Sequence, residues 1–331
     1  MKENKLQTDF PDLIKHFEFR KDKASFNLQA FIFLQVINLS YSAGIAYVLY
    51  CTYDGIVNFN LLELLIVAVL CVYTILYCKK SEFFCFLMQK NGIYKWFKSY
   101  TIYSEEPVDQ EGVLFPWMPH NILAVPLIIK NSIKEKNPLY NAVIMGSRAA
   151  LNLPLIGTFS KWSGIYGVDA KQFKQFMKEK ANMIFVPGGF EEATIISHRE
   201  YRIYADRFGF IKYALQYGYN ISPIIVFNEN KGYVTSDKFL KLRLIINKLK
   251  FPACLFFSKY FILPDHNVDI VVLIGSKLKF PKIQNPTKED VEQYHKIYTQ
   301  KVRDTFEAHK EKFDAGSQLT FFSQDPNYQK M

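Results

Sequence analysis

A chain of 331 residues, 49% hydrophobic and 16% aromatic, carries enough apolar side chains for one large core or two, and more than water-soluble proteins usually hold. Its net charge of +10 makes the exposed surface basic and points to anionic partners, phospholipid headgroups, a phosphorylated cofactor or nucleic acid; no zinc module, RNA-binding sheet signature or Arg-rich tail supports the last. The five cysteines, Cys51, Cys71, Cys78, Cys85 and Cys254, form no Cys-x-x-Cys pair, which argues against a disulfide framework and for a reducing compartment.

Residues 1–25 are polar and of mixed charge. Phe26 to Tyr50 then carries no charge, and Phe59 to Cys78 is apolar apart from Asn60 and Glu63 near its start. Each run matches the roughly 20 residues with which an α-helix crosses a ~30 Å hydrocarbon core. Thr52-Tyr53-Asp54-Gly55 between them has room only for a tight turn. Residues 26–80 therefore read as a transmembrane helical hairpin that dips into or spans a bilayer, with two buried core helices as the competing reading. Lys15, Arg20, Lys21 and Lys23 precede the hairpin and Lys79 and Lys80 follow it, whereas the link holds only Asp54. That bias places both termini in the cytosol. The polar lead-in is too long for a signal peptide, and no small-residue cleavage site follows.

Residues 81–104 interleave Phe83, Phe84, Phe86, Tyr94, Trp96 and Phe97 with Lys90, Lys95 and Lys98, which reads as an interfacial amphipathic connector. From 105 to 316 strands and helices alternate. Strands are expected over Ala142–Met145, Met183–Val186, Ile221–Phe227 and Asp269–Ile274. Helices are expected over Asp169–Lys180, over Phe208–Tyr217 ended by Gly218, and over Thr287–Phe313 opened by a Thr287/Asp290 capping signature. Alternation of this kind implies an α/β sheet; residues 317–331 are left as a C-terminal tail. Residues 235–263 mix Lys238, Lys241, Arg243, Lys248 and Lys250 with leucines and isoleucines ahead of an aromatic run. Two readings stand there, the charged outer face of a core helix and a membrane-surface segment, and the hairpin favours the second.

Two stretches carry the chemistry. Val113-Leu114-Phe115-Pro116-Trp117-Met118-Pro119-His120-Asn121 and Met183-Ile184-Phe185-Val186-Pro187-Gly188-Gly189-Phe190-Glu191-Glu192 are apolar runs that stop at Pro or Pro-Gly-Gly and then present His120 and Glu192. No Gly-x-Ser-x-Gly elbow, His-Glu-x-x-His or Cys/His cluster, or Gly-x-x-x-x-Gly-Lys loop occurs, so serine hydrolysis, metal catalysis and NTP hydrolysis lack support. A neutral imidazole acting as general base on a substrate alcohol needs none of these. A carboxylate can orient that imidazole, and a Gly-Gly turn lets backbone N–H groups approach an oxyanion.

Met118-Pro119-His120-Asn121 resembles the His-Pro-His-Gly block of the type-2 diacylglycerol acyltransferase family, which has a Glu-Pro-His-Ser variant, and Val186 to Glu192 resembles its Pro-Gly-Gly-x-x-Glu block. Asn152-Leu153-Pro154, Arg207-Phe208-Gly209-Phe210, Phe227-Asn228-Glu229-Asn230 and Asn285-Pro286-Thr287 through Tyr294-His295 follow in the family's order, over residues 105 to 316. The resemblance implies a glycerolipid-acyltransferase-like mixed sheet with flanking helices. It implies His120 as general base, Glu192 as its support, and Gly188 and Gly189 as the turn. Arg207 would meet the acyl-CoA headgroup, and Asn228 and Glu229 would build the site. His198 matches plant members, as a pocket residue or as local structure. The implied reaction moves a fatty acyl group from acyl-CoA to a lipid hydroxyl, above all diacylglycerol. Acyl-CoA serves as co-substrate, no cofactor is held permanently, and the location is the endoplasmic reticulum membrane. Met118 and Asn121 depart from the His and Gly of the block. That leaves a second reading, a catalytically silent fold copy serving as a structural subunit; an oligomer or a larger membrane assembly fits either.

Overall fold

The computed structural model describes residues 10–21, 26–133, 137–249 and 252–323; Lys23 and Lys250, counted above in basic clusters, lie outside them. The chain opens with β1 (Ile14–Arg20), α1 (Leu28–Val57), α2 (Leu61–Val72), a π-helical turn over Tyr73–Tyr77 and α3 (Glu82–Asn91). Next come β2 (Ser99–Ser104), β3 (Val113–Met118), α4 (Val125–Ile129), β4 (Val143–Gly146), α5 (Arg148–Asn152), α6 (Ile156–Trp162) and β5 (Ile165–Gly167). They are followed by α7 (Ala170–Lys178), β6 (Met183–Phe185), α8 (Gly189–Ile195), β7 (Tyr201–Tyr204), α9 (Gly209–Tyr217), β8 (Asn220–Ile221) and β9 (Ile224–Phe227). The chain closes with β10 (Val234–Thr235), α10 (Leu240–Ile246), β11 (Phe256–Phe257), β12 (Asp269–Ile274), α11 (Lys288–Phe313) and β13 (Leu319–Phe322).

One mixed sheet runs in the order β1-β2-β12-β9-β3-β6-β4-β5, with β8 also pairing β3. The strands β9, β3, β6, β4 and β5 are mutually parallel, while β12 opposes β9 and β1 opposes β2. Every residue of β3 is buried, as a central strand covered on both faces requires. Its side chains alternate: Val113, Phe115 and Trp117 join the core under α1, α3 and α4, and Leu114 and Met118 join the core under α7, α9 and α11. This is the expected α/β mixed sheet with flanking helices.

Several expectations change. The predicted strand Ile221–Phe227 is broken into β8 and β9. β3 pairs with β8 at Val113–Leu114 and with β9 at Trp117–Met118, so Pro116 and Pro223, which lack N–H donors, fall at one shared gap. Residues 14–20, read as polar terminus, form an edge strand whose alternation is masked by charge on its open face. Within the connector, Trp96, Phe97 and all of β2 are buried rather than interfacial; Phe31 stacks on Trp96 at 5.6 Å and closes that core. Phe83 and Phe86 remain exposed. In the tail, β13 pairs in parallel with β7.

The helix pair expected as a membrane hairpin differs from the expectation. Thr52–Gly55 belongs to α1, and the turn lies at Asn58–Asn60, where Phe59 takes φ +54°. The Asp54 carboxylate accepts from Asn58 Nδ2 at 2.7 Å and Asn60 Nδ2 at 3.0 Å, which carries the helix one turn past the expected link. Among the described residues only α1 is by itself long and apolar enough to cross a membrane. The returning arm, Leu61–Tyr77, bends by 91° into the segment from Glu82, and α2 alone spans roughly 18 Å.

Candidate active site

Three adjacent parallel strands, β9, β3 and β6, end at one edge of the sheet, where open α/β folds place their ligands. The loop after β3 brings His120, the turn after β6 and the start of α8 bring Gly188, Gly189 and Glu192, and the segment after β9 brings Asn228 and Glu229. Residues 72 positions apart thereby touch: the His120 backbone N–H donates to Glu192 Oε1 at 2.7 Å.

The imidazole is held from its own loop. His120 Nδ1 lies 2.7 Å from the Asn121 carbonyl oxygen, and because that oxygen can only accept, Nδ1 carries the proton and Nε2 keeps its lone pair. Burial lowers the His120 pKa against the opposing pull of the Asn121 carbonyl bond, which favours the neutral ring. Asn121 reaches its carbonyl position at φ +53°, in the left-handed region that Gly and Asn enter most readily. The exchange of Gly for Asn at this position is therefore conformationally conservative. Met118, the other departure, is fully buried at the end of β3, and its sulfur accepts from Tyr298 Oη at 3.4 Å. It forms a wall of the core and cannot act as a second base.

Glu192 does not reach the imidazole ring. Its Oε1 takes the His120 N–H and its Oε2 takes the Tyr204 N–H at 3.0 Å, so it fixes two main-chain segments rather than a ring nitrogen. Burial pushes its pKa up to about 8 against these two bonds. Gly188 is required by this placement: a Cβ there would lie 2.2 Å from Glu192 Oε2 and 2.4 Å from Glu192 Cβ. Gly189 turns the chain at φ +54° and has open space where a Cβ would stand.

Glu229 clamps the other side. It is fully buried; Oε2 accepts from Asn121 Nδ2 at 2.9 Å and Oε1 from the Val125 N–H at 3.0 Å, and burial pushes its pKa up to about 8 as well. Asn121 Oδ1 is a buried acceptor without a partner. A flipped amide would accept from a protonated Glu229, consistent with that raised pKa. Asn228 ties strands to the C-terminal helix, donating from Nδ2 to the carbonyls of Asp269 at 2.9 Å and Phe313 at 3.1 Å.

Arg207 and His198 stand apart from this cluster. Arg207 forms an ion pair with Glu191 at 2.6 Å and lies over the Tyr204 ring at 5.4 Å, on the outer side of α8. His198 Nδ1 accepts from the Thr235 N–H at 3.1 Å and its own N–H donates to Thr235 Oγ1 at 3.0 Å; its hydrogen bonds are local. Sequence reasoning did not find the Asn121 carbonyl or the Tyr204 N–H, because a main-chain partner leaves no residue-type signal, and it read Tyr298 only as part of the apolar stripe of the C-terminal helix. A cavity of about 80 Å³ lined by Leu34, Asn38, Leu123, Val125 and Ile128 separates α1 from the segment that follows His120. No group of His, Cys, Asp and Glu able to hold a metal occurs among the described residues.

A family model described as diacylglycerol acyltransferase matches residues 48–322. The chain is 25% identical over 247 residues to diacylglycerol O-acyltransferase 2 of Dictyostelium discoideum, covering 68% of this chain and 75% of that one. It is 24% identical over 247 residues to human 2-acylglycerol O-acyltransferase 1, covering 67% and 73%. Among solved structures it resembles the 1-acyl-sn-glycerophosphate acyltransferase PlsC of Thermotoga maritima, at 9% identity and a TM-score of 0.41, covering 80% of this chain and 94% of that one.

Proposed function

Because the chain belongs to the diacylglycerol acyltransferase family, we propose that it transfers a fatty acyl group from acyl-coenzyme A to a lipid hydroxyl, with diacylglycerol as acceptor and triacylglycerol as product. The observation that carries this reading is the His120 Nδ1–H bond to the Asn121 carbonyl, which leaves a neutral Nε2 free to take a proton. Nε2 removes the hydroxyl proton as the oxygen attacks the thioester carbonyl. The tetrahedral oxyanion collapses, the C–S bond breaks, and the coenzyme A thiolate recovers the proton from the imidazolium. The products are an ester and free coenzyme A, and His120 is again neutral. Glu192 and Glu229 act as positioning residues, because they hold the main chain and the side chain around His120. The open space beside Gly189 suits a backbone N–H facing the developing oxyanion. The apolar cavity beside Leu123 and Val125 suits part of an alkyl chain.

Membrane placement is the second part of the proposal: α1 and the bent arm dip into the endoplasmic reticulum bilayer with both termini on the cytosolic face. The pairing of β1 with β2 supports it, since the strands that enter and leave this excursion are neighbours in one sheet. Purified protein in lipid vesicles, given radiolabelled acyl-CoA and a panel of lipid alcohols, tests the reaction. We expect triacylglycerol from diacylglycerol, and a rate about 10²–10⁴-fold lower for His120→Ala. Absence of product from every acceptor overturns the proposal and leaves a structural subunit; an undiminished His120→Ala rate overturns His120 as the base.

A further inference from the structure

Helix α10 is built inside out for a water-soluble protein. Two polar side chains face the domain: Arg243 is buried and donates to the Thr194 carbonyl at 3.3 Å, and Asn247, just past the helix, is buried with its Oδ1 accepting from Thr194 Oγ1 at 2.8 Å. Large apolar residues on and beside the helix face outward, while Leu240, Leu244 and Ile246 are half-buried. Phe239, Leu242, Ile245 and Leu249, with Phe257 and Phe261 on the strand and loop beyond, each leave 55–80% of their surface open. Leu242, Ile245 and Leu249 recur at i, i+3 and i+7, so they share one stripe. Lys238, Lys241 and Lys248 flank that stripe, exposed and with no ion pair recorded among the described residues. Burying the polar groups and exposing the leucines is unfavourable in water, in proportion to the apolar surface left wet. It becomes favourable when the outer phase is itself apolar.

The position of the patch identifies that phase. Tyr260, at its far end, accepts on its carbonyl from Gln35 Nε2 at 3.4 Å and packs its ring edge-on to Phe31 at 6.0 Å, both residues on α1. The patch therefore abuts α1, the helix long and apolar enough to cross a membrane. The inner side of the segment is fastened to α8, which carries Glu192: besides the Arg243 and Asn247 bonds, Cys254 Sγ donates to the Ala193 carbonyl at 3.0 Å. At the entry to the segment Arg202 forms a two-pronged pair with Asp237, at 2.6 and 2.9 Å.

We propose that residues 234–249 and 252–261 form an interfacial docking surface that sinks its apolar rim into the headgroup–acyl boundary of a bilayer and holds anionic phospholipid with Lys238, Lys241 and Lys248. Because the segment is bonded directly to α8, this docking also sets how the His120 site meets the lipid surface. The inference rests on surface geometry and stands whether or not the chain transfers an acyl group.

The test uses the full chain in vesicles of phosphatidylcholine, alone or with phosphatidylserine, carrying an environment-sensitive dye on a Leu249→Cys variant. A Lys178→Cys variant on the exposed side of α7 serves as reference, and the unsubstituted chain treated identically serves as blank. At position 249 we expect quenching by lipid-borne nitroxide, shielding from aqueous iodide, and deeper quenching when phosphatidylserine is present; at 178 iodide alone should quench. A variant with all three lysines changed to Gln should lose the phosphatidylserine gain, about fivefold in apparent lipid affinity for each lysine. Iodide quenching at 249 equal to that at 178 overturns the proposal. Shielding without nitroxide quenching overturns it in favour of a second protein copy, and a phosphatidylserine gain that survives the triple substitution overturns the role of the lysines.

Discussion

His120 sits between two buried acids, and neither touches its ring. Glu192 holds the backbone N–H before the imidazole and Glu229 holds the Asn121 amide after it, while the ring itself is aimed by the main-chain carbonyl of that same Asn121. Both acids are pushed up to about 8 by burial, well above the ordinary carboxylate range. A folded-state pKa above the unfolded one means that the folded chain binds the proton more tightly. The resulting stability is fully present below about pH 4.5 and is lost as pH rises through about 8. Replacing Glu229 by glutamine removes one of the two groups, and the Asn121 amide can flip so that Oδ1 accepts from the new side-chain N–H. The melting temperature of Glu229→Gln should therefore fall less than that of the parent between about pH 6 and pH 8. Parallel curves would show that Glu229 does not titrate there.

At the scale of elements, the turn before α8 does two separate jobs with two glycines. Gly188 makes room for the Glu192 side chain of the same helix, and Gly189 supplies the left-handed backbone. Gly188→Ala should cost about 3 kcal/mol through overpacking. It should also slow acyl transfer about 10²-fold, because the displaced carboxyl releases the His120 N–H. Gly189→Ala meets no atom and should cost only about 1–2 kcal/mol of backbone strain, with a smaller loss of rate. Thermal melting and initial rates of the two variants decide the matter; equal damage at both positions would mean that the Gly188–Glu192 contact is unimportant.

On the scale of the whole molecule, β1 and β2 hold the two ends of the α1–α2 excursion on one domain. The turn at Asn58–Asn60 is then the part farthest along the chain from both attachments, and Phe59 leaves 83% of its surface open. In sealed vesicles with the catalytic domain outward, a cysteine in place of Phe59 should resist a membrane-impermeant maleimide until detergent is added, while a cysteine in place of Lys178 reacts at once. Immediate reaction at position 59 would mean that the excursion lies in water.

Local periodicity by itself determined much of this protein. Residues 170–178, 209–217 and 288–313 form helices at the expected places, because their apolar stripes and caps are satisfied within a few turns of chain: Asp169 and Thr287 cap by side-chain bonds, and Gly218 ends its helix at φ +69°. The two strand–turn motifs bearing His120 and Glu192 were legible for the same reason. Only the tertiary structure decided what those residues hold. Sheet neighbours come from distant chain, so the sequence of β1, β7 or β13 does not name its partner. The bonds that define the site run largely to main-chain groups, which every residue carries and no motif records. The parallel register of β9, β3 and β6 brings three loops to one edge, and that register turned an expected carboxylate–imidazole pair into a clamp on the backbone around a neutral ring.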